Sequence, residues 1–143
     1  MPVLVRYRLT DGLIMGGWEA TTDAMLRAQI PAEDATYGYL IDAEDRALAE
    51  LSAAYGVQEG RFVAKVEGTI TATPHPFAAD GVTPCTVTVD PFVPCTLLVD
   101  GTPYALVPED QAVILLSETP YTFHISLQPM AAYRAAAITV EAT

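Results

Sequence analysis

Through the second half of the chain, apolar and polar residues alternate with a period of two. Cys85, Val87 and Val89 interleave with Thr86, Thr88 and Asp90; Tyr121, Phe123, Ile125 and Leu127 with Thr122, His124, Ser126 and Gln128; Ala136, Ile138, Val140 and Ala142 with Ala137, Thr139 and Glu141. Successive side chains of a strand point to opposite faces, so each segment has one dry and one wet side. Strands are predicted near residues 69–72, 85–89, 95–99, 104–107, 112–116, 121–127 and 135–142. Asp80-Gly81, Asp90-Pro91, Asp100-Gly101 and residues 108–110 punctuate them. This spacing predicts an all-β immunoglobulin-like sandwich over residues 67–143.

The first part has a mixed pattern. Val3, Val5, Tyr7 and Leu9 alternate with Leu4, Arg6 and Arg8, and Asp11-Gly12 supplies a tight turn before a second strand over 13–18. Thr21 or Thr22 caps a short helix reaching about Gln29, ahead of Pro31. Residues 37–41 read as a strand. Asp42 is the expected N-cap of a second helix carrying Ala47, Leu48, Leu51, Ala54 and Tyr55, with Gly56 just past its end. Residues 61–66 return as a strand, although 61–72 also reads as one longer strand. The expectation is a small α+β docking domain over 1–66, of a size that buries only about 60% of its unfolded surface and is marginal alone.

Composition narrows the functional classes. With 51% hydrophobic and 17% charged residues among 143, the chain is expected to fold around a real core. Its formal net charge of −11 repels a phosphate backbone and predicts no nucleic-acid partner. Charge is uneven: residues 1–66 carry six basic and ten acidic groups (net −4), residues 67–143 one and eight (net −7), with Arg134 the lone cation. The strongest apolar run, 112–116, is strand-sized and predicts no membrane span. No secretory leader is read at the N-terminus, and with no Asn in the chain N-glycosylation is excluded.

Candidate chemistry is sparse. Cys85 and Cys95 open two strands; if these are consecutive and antiparallel, the sulfurs start at opposite ends, roughly 15 Å apart, against the 7 Å or so that a disulfide tolerates. Buried free thiols are the favoured expectation. His75 and His124 with these cysteines match no zinc-ligand spacing. Ser52, Ser117 and Ser126 lie in no nucleophile elbow. Asp11, Asp80 and Asp100 each precede Gly and read as turn residues, and Met15-Gly16-Gly17-Trp18 is no phosphate loop. No enzyme activity and no cofactor are expected. Trp18 reads either as core or as an exposed anchor for a partner, and Tyr133 with Arg134 as a possible loop contact, because Tyr, Trp and Arg are enriched at interfaces.

One stretch has a familial look. Ile70-Thr-Ala-Thr-Pro through Ala79-Asp-Gly-Val-Thr-Pro-Cys-Thr-Val-Thr-Val89 resembles the opening of bacterial immunoglobulin-like modules, where an Ala-Asp-Gly turn introduces a strand rich in threonine and valine. Such modules recur in bacterial surface adhesins and bacteriophage virion proteins. The N-terminal hairpin with Asp-Gly, followed by a helix ending in Met25-Leu-Arg-Ala-Gln29, is similar to small tail-associated or fibre proteins of tailed phages. The resemblance implies a virion structural protein, assembled in the host cytoplasm among other virion proteins as part of an oligomeric assembly. It could be a tail, fibre or capsid-decoration component. The alternative is a carbohydrate- or cell-surface-binding module meeting a host glycan through Trp18, Tyr104 or Tyr133. Neither family supplies a motif that transfers a catalytic, metal or cofactor residue.

Overall fold

The computed structural model describes residues 1–143 and is mostly β, built from antiparallel sheets. The chain divides into two compact units, Met1–Val66 with Pro129–Arg134, and Glu67–Gln128 with Ala135–Thr143. The segment Pro129–Arg134, assigned above to the distal domain, thus belongs to the first unit. No helix is long and apolar enough to cross a membrane.

In the first unit, β1 (Val3–Arg8) is the middle strand of a three-stranded sheet between β2 (Ile14–Glu19) and β3 (Tyr37–Asp42). Gly12 turns the chain at φ +77°, a left-handed conformation that costs a side-chain-bearing residue. The Asp11 carboxylate secures the turn by accepting from the Leu13 N–H and the Arg8 guanidinium. Helix α1 (Asp23–Arg27) starts at Thr22, whose hydroxyl accepts from the Met25 N–H at 3.3 Å. Helix α2 (Leu48–Ala54) is followed directly by a hairpin of β4 (Tyr55–Gln58) and β5 (Arg61–Ala64).

The helical content expected of an α+β domain therefore shrinks to helices of five and seven residues. Gly56 lies inside β4 and is no helix terminator; a Cβ there would come within 2.7 Å of Ala131. Val3, Val5, Ile14, Leu51 and Val57 form the buried core, with Tyr7, Leu40, Leu48, Tyr55 and Phe62 against it. Burial of each large apolar side chain is worth about 1.5–3 kcal/mol. Segment 129–134 joins the hairpin through a parallel bridge between Val66 and Tyr133, with Val66 N–H donating to Ala132 and Arg134 N–H donating to Val66.

One buried ion pair organises the turn between β3 and α2. Asp42, expected as the helix cap, instead ends β3 and is only 2% exposed. Its Oδ1 accepts from Arg46 Nη2 at 2.7 Å and its Oδ2 from the Arg46 backbone N–H at 3.2 Å. The N-cap of α2 is Ala47, which has no capping side chain. The same guanidinium covers the Tyr55 ring at 4.7 Å and the Phe62 ring at 5.5 Å, so one arginine ties β3 to the hairpin.

The second unit holds two sheets, one ordered β10-β7-β6 and one β12-β11-β8-β9. Their members are β6 (Thr69–Thr73), β7 (Cys85–Asp90), β8 (Cys95–Val99), β9 (Thr102–Leu106), β10 (Val113–Leu115), β11 (Tyr121–Leu127) and β12 (Ala137–Ala142). Alternation is realised residue by residue: Cys85, Val87 and Val89 are buried, as are Cys95, Leu97 and Val99, while their neighbours face outward. Such one-sided burial in both sheets is consistent with a β-sandwich. The β8–β9 turn uses Asp100 at φ +50° and Gly101 at φ +85°, the pair of positive angles a two-residue hairpin requires. Strands β7 and β8 are not paired; they belong to different sheets, so the antiparallel premise applied to Cys85 and Cys95 does not hold.

Reassigning Arg134 leaves the second unit with eight acidic residues and no lysine or arginine, while the first unit carries all seven basic residues against ten acidic ones. Charges of one sign repel within a compact body. Raising sodium chloride from about 0.01 M to about 1 M shortens the screening length from roughly 30 Å to about 3 Å. Amide-exchange protection at Val87 and Leu97 is therefore expected to increase with salt. The first unit should show the opposite trend, because its exposed pairs, Met1 amino group with Asp45 and Arg8 with Asp11, weaken under screening. Protection in the second unit that stays flat or falls with salt would refute the repulsion argument.

Candidate functional site

The face of the three-stranded sheet opposite Val3 and Val5 gathers aromatic rings and a guanidinium around the fully buried Leu4. Leu4 pairs with Trp18 on one side and Ile41 on the other, and Arg6 pairs with Gly16 and Tyr39. Every second residue shares a face, so Trp18, Arg6, Tyr39 and Tyr37 stand together. Trp18 lies on an edge strand and is 38% exposed, which resolves its two readings in favour of the surface. Its ring stacks on Tyr39 diagonally across β1, with centroids 6.4 Å apart and planes inclined by 28°. Arg6 lies with its guanidinium carbon 4.5 Å above the Tyr37 ring. Gly16 brings no side chain, and Arg6 Nη2 lies 4.0 Å from where its Cβ would stand, while Arg6 Nε is buried without a hydrogen-bond partner.

Asp34 fixes the far side of this face. Its Oδ1 accepts from the backbone N–H groups of Thr36 and Tyr37, both at 2.9 Å, and its Oδ2 from the Tyr39 hydroxyl at 2.8 Å. Those donors, the Tyr37 N–H foremost, hold the carboxyl below its ordinary value. The Tyr39 phenol is raised by desolvation and then by its bond to Asp34. Tyr39 therefore stays a neutral, oriented ring beside Trp18. Trp18 is the exposed ring of this group, while Arg6 on the middle strand and the Tyr37 and Tyr39 rings are half-buried, so the face presents chiefly the Trp18 ring for a non-covalent contact.

The other expected contacts behave differently. Tyr133 is only 2% exposed and belongs to the core, so its ring is not offered to a partner. Arg134 is exposed, its backbone fastened to Val66. Tyr104 is 45% exposed, on β9 of the other unit. Nothing in the residue pattern near Tyr39 marked it as a partner of Trp18, because the register that sets them diagonally depends on β3 pairing with β1.

Reactive groups are not assembled. Cys85 and Cys95 are free and buried, and burial pushes both thiols up, away from thiolate chemistry. The Cys85 thiol donates to the Pro74 carbonyl at 3.3 Å. His124 is exposed on β11, its backbone N–H given to Asp100 Oδ1. No group of three or more His, Cys, Asp or Glu side chains is placed to hold a metal ion. In the first unit a cavity of about 300 Å³ lies between the β4–β5 hairpin and segment 129–134, lined by Val57, Val63, Ala64, Val66 and Met130, with Asp11 and Gln58 its only polar side chains. No family model, curated protein or solved structure matches the chain.

Proposed function

We propose that the chain is a non-enzymatic structural component of a bacteriophage virion, a tail-associated, fibre or capsid-decoration protein. It docks by its first unit and displays the second as an immunoglobulin-like domain. The observation that carries this reading is the division of charge: every basic residue sits in the first unit, together with the Trp18 and Tyr39 rings, and the second is uniformly anionic. Mixed charge and exposed aromatics suit a contact surface, whereas a like-charged body stays soluble and apart from its neighbours. The immunoglobulin-like part is supported by strand order, one sheet of three strands as β10-β7-β6 and one of four as β12-β11-β8-β9. The Ala79-Asp80-Gly81 turn that introduces β7 adds to it: Asp80 accepts from the Val82 and Thr83 N–H groups and the Thr83 hydroxyl, which hold it down at about 2.

The test is cosedimentation with purified particles of the parent phage. Bound wild-type chain is expected at stoichiometric occupancy, and Trp18→Ala is expected to weaken attachment about 30-fold, the loss of roughly 2 kcal/mol typical of a central aromatic anchor. A chain that remains monomeric and never travels with particles would defeat the proposal. A second reading, a carbohydrate-binding module, is favoured by the Trp18 ring, 38% exposed beside the half-buried Tyr39, a planar group that can receive a sugar ring. Saturable binding on a glycan array that is abolished by Trp18→Ala, without any particle binding, selects it.

A further inference from the structure

We infer that the free edge of β10 is a strand-addition site for an extended segment of a partner protein, apolar in alternate positions and basic at both ends. Residues Ala112, Val113, Ile114, Leu115 and Leu116 form an unbroken apolar run, the pattern of a strand covered on both faces. Only one face is covered within this chain: Val113 and Leu115 are 8% and 5% exposed, whereas Ile114 and Leu116 are 57% and 52% exposed. Val82, 79% exposed, lies in the loop that the Gly81 N–H ties to the Ser117 carbonyl, next to Leu116 in sequence. Strand β10 pairs with β7 on one side and with no strand on the other. Edges of this kind are normally guarded by charge, proline or a bulge. Here no charge, proline or bulge lies within the strand itself; its guards are its shortness, three residues, and the acidic residues that flank it.

Charge selects the occupant. Glu109 and Asp110 precede the apolar run and Glu118 follows it, in a unit without one lysine or arginine. A second copy pairing antiparallel about Ile114 would set Asp110 opposite Glu118 at both ends, and like charges placed opposite each other destabilise a ladder. A foreign strand with lysine or arginine at those two positions meets both acids favourably. Its backbone would extend the ladder, and its alternate apolar side chains would pack beside Ile114 and Leu116 on the same face of the sheet. This inference is independent of the docking role given to the first unit.

The probe is a fluorescein-labelled peptide of alternating valine and threonine with two lysines at each end, titrated against the full chain by anisotropy. A second peptide carries glutamates in place of the lysines. Expected are saturable binding of the lysine peptide, at least tenfold weaker binding of the glutamate peptide, and new amide-exchange protection confined to residues 112–116. Both the Ile114→Thr variant, which keeps a strand-favouring residue, and the Asp110→Asn/Glu118→Gln pair are expected to weaken binding at least tenfold, with circular dichroism unchanged. If the lysine peptide does not saturate, or binds wild type and variants alike, the site does not exist. Sedimentation of the free chain as a dimer that Ile114→Thr dissolves would assign the edge to a second copy and overturn the partner claim.

Discussion

Replacing Asp42 with alanine is expected to unfold the first unit well before the rest of the chain. The carboxylate is 2% exposed and is the partner of a guanidinium whose side chain is 20% exposed, itself wedged over Tyr55 and Phe62. Removing the buried member leaves the guanidinium only the exposed Glu44 carboxylate, 3.4 Å from its Nη2, a loss at the low end of the range for a broken buried pair, about 3 kcal/mol. For a unit of this size that lowers the melting midpoint by more than about 12 °C. Trp18, the only tryptophan, lies in β2, so its fluorescence follows this unit alone. The pair also sets an acid limit. Hydrogen bonds from Arg46 first, offset in part by desolvation, depress the Asp42 pKa below its ordinary value. Its contribution is complete above the unfolded carboxyl pKa of roughly 3.9 and disappears as pH falls through the lower folded value. Asp42→Asn should remove that acid-dependent portion, and a wild-type midpoint insensitive to pH between about 2 and 5 would contradict it.

The second large effect is expected at Gly12. A Cβ there would lie 1.9 Å from the Val57 carbonyl oxygen, and the Val57 N–H donates to the Gly12 carbonyl at 2.9 Å. The β1–β2 turn and β4 therefore touch backbone to backbone, with no room for a methyl group. Gly12→Ala adds about 1–2 kcal/mol for the left-handed conformation to about 1–3 kcal/mol for the displaced, partly buried hydrogen bond. Gly60 provides the control: its φ is +70°, close to the +77° of Gly12, yet nothing lies within 4 Å of its Cβ position. Gly60→Ala should cost only the conformational part. Equal losses at the two sites, read as shifts in denaturant midpoint, would show that the close approach at Gly12 is unimportant.

How much of this was legible in the residue order depended on the range of the signal. Strands β7 and β12 and the latter part of β11 announce themselves because one face is dry and the other wet, whereas Tyr121, read on the dry side at the start of β11, is 48% exposed. The turns at Asp11-Gly12 and Asp100-Gly101 are equally local. Strand β4 was hidden: Leu48, Leu51 and Tyr55 keep helical spacing into it, and Gly56 has the look of a helix terminator until Ala131, 75 positions away, is seen against it. The short link from β7 to β8 could equally have closed a hairpin or crossed between sheets, and only the pairing of β8 with β11 and β9 distinguishes these. Trp18 and Tyr39 met through the same kind of long-range register. Asp42 was noticed for the right chemistry, an acceptor at a helix start, but its partner is the Arg46 guanidinium and not the helix end.

Segment 129–134 has a consequence for anyone dissecting the molecule. The path leaves the distal sheets after β11, contributes Tyr133 to the first unit, and returns to supply β12. A clone stopping at Val66 would forfeit this borrowed stave, and one starting at Glu67 would carry it with nothing to rest on. Neither half is a self-sufficient cassette, and an excision that respects the architecture must graft a loop across Gln128 and Ala135.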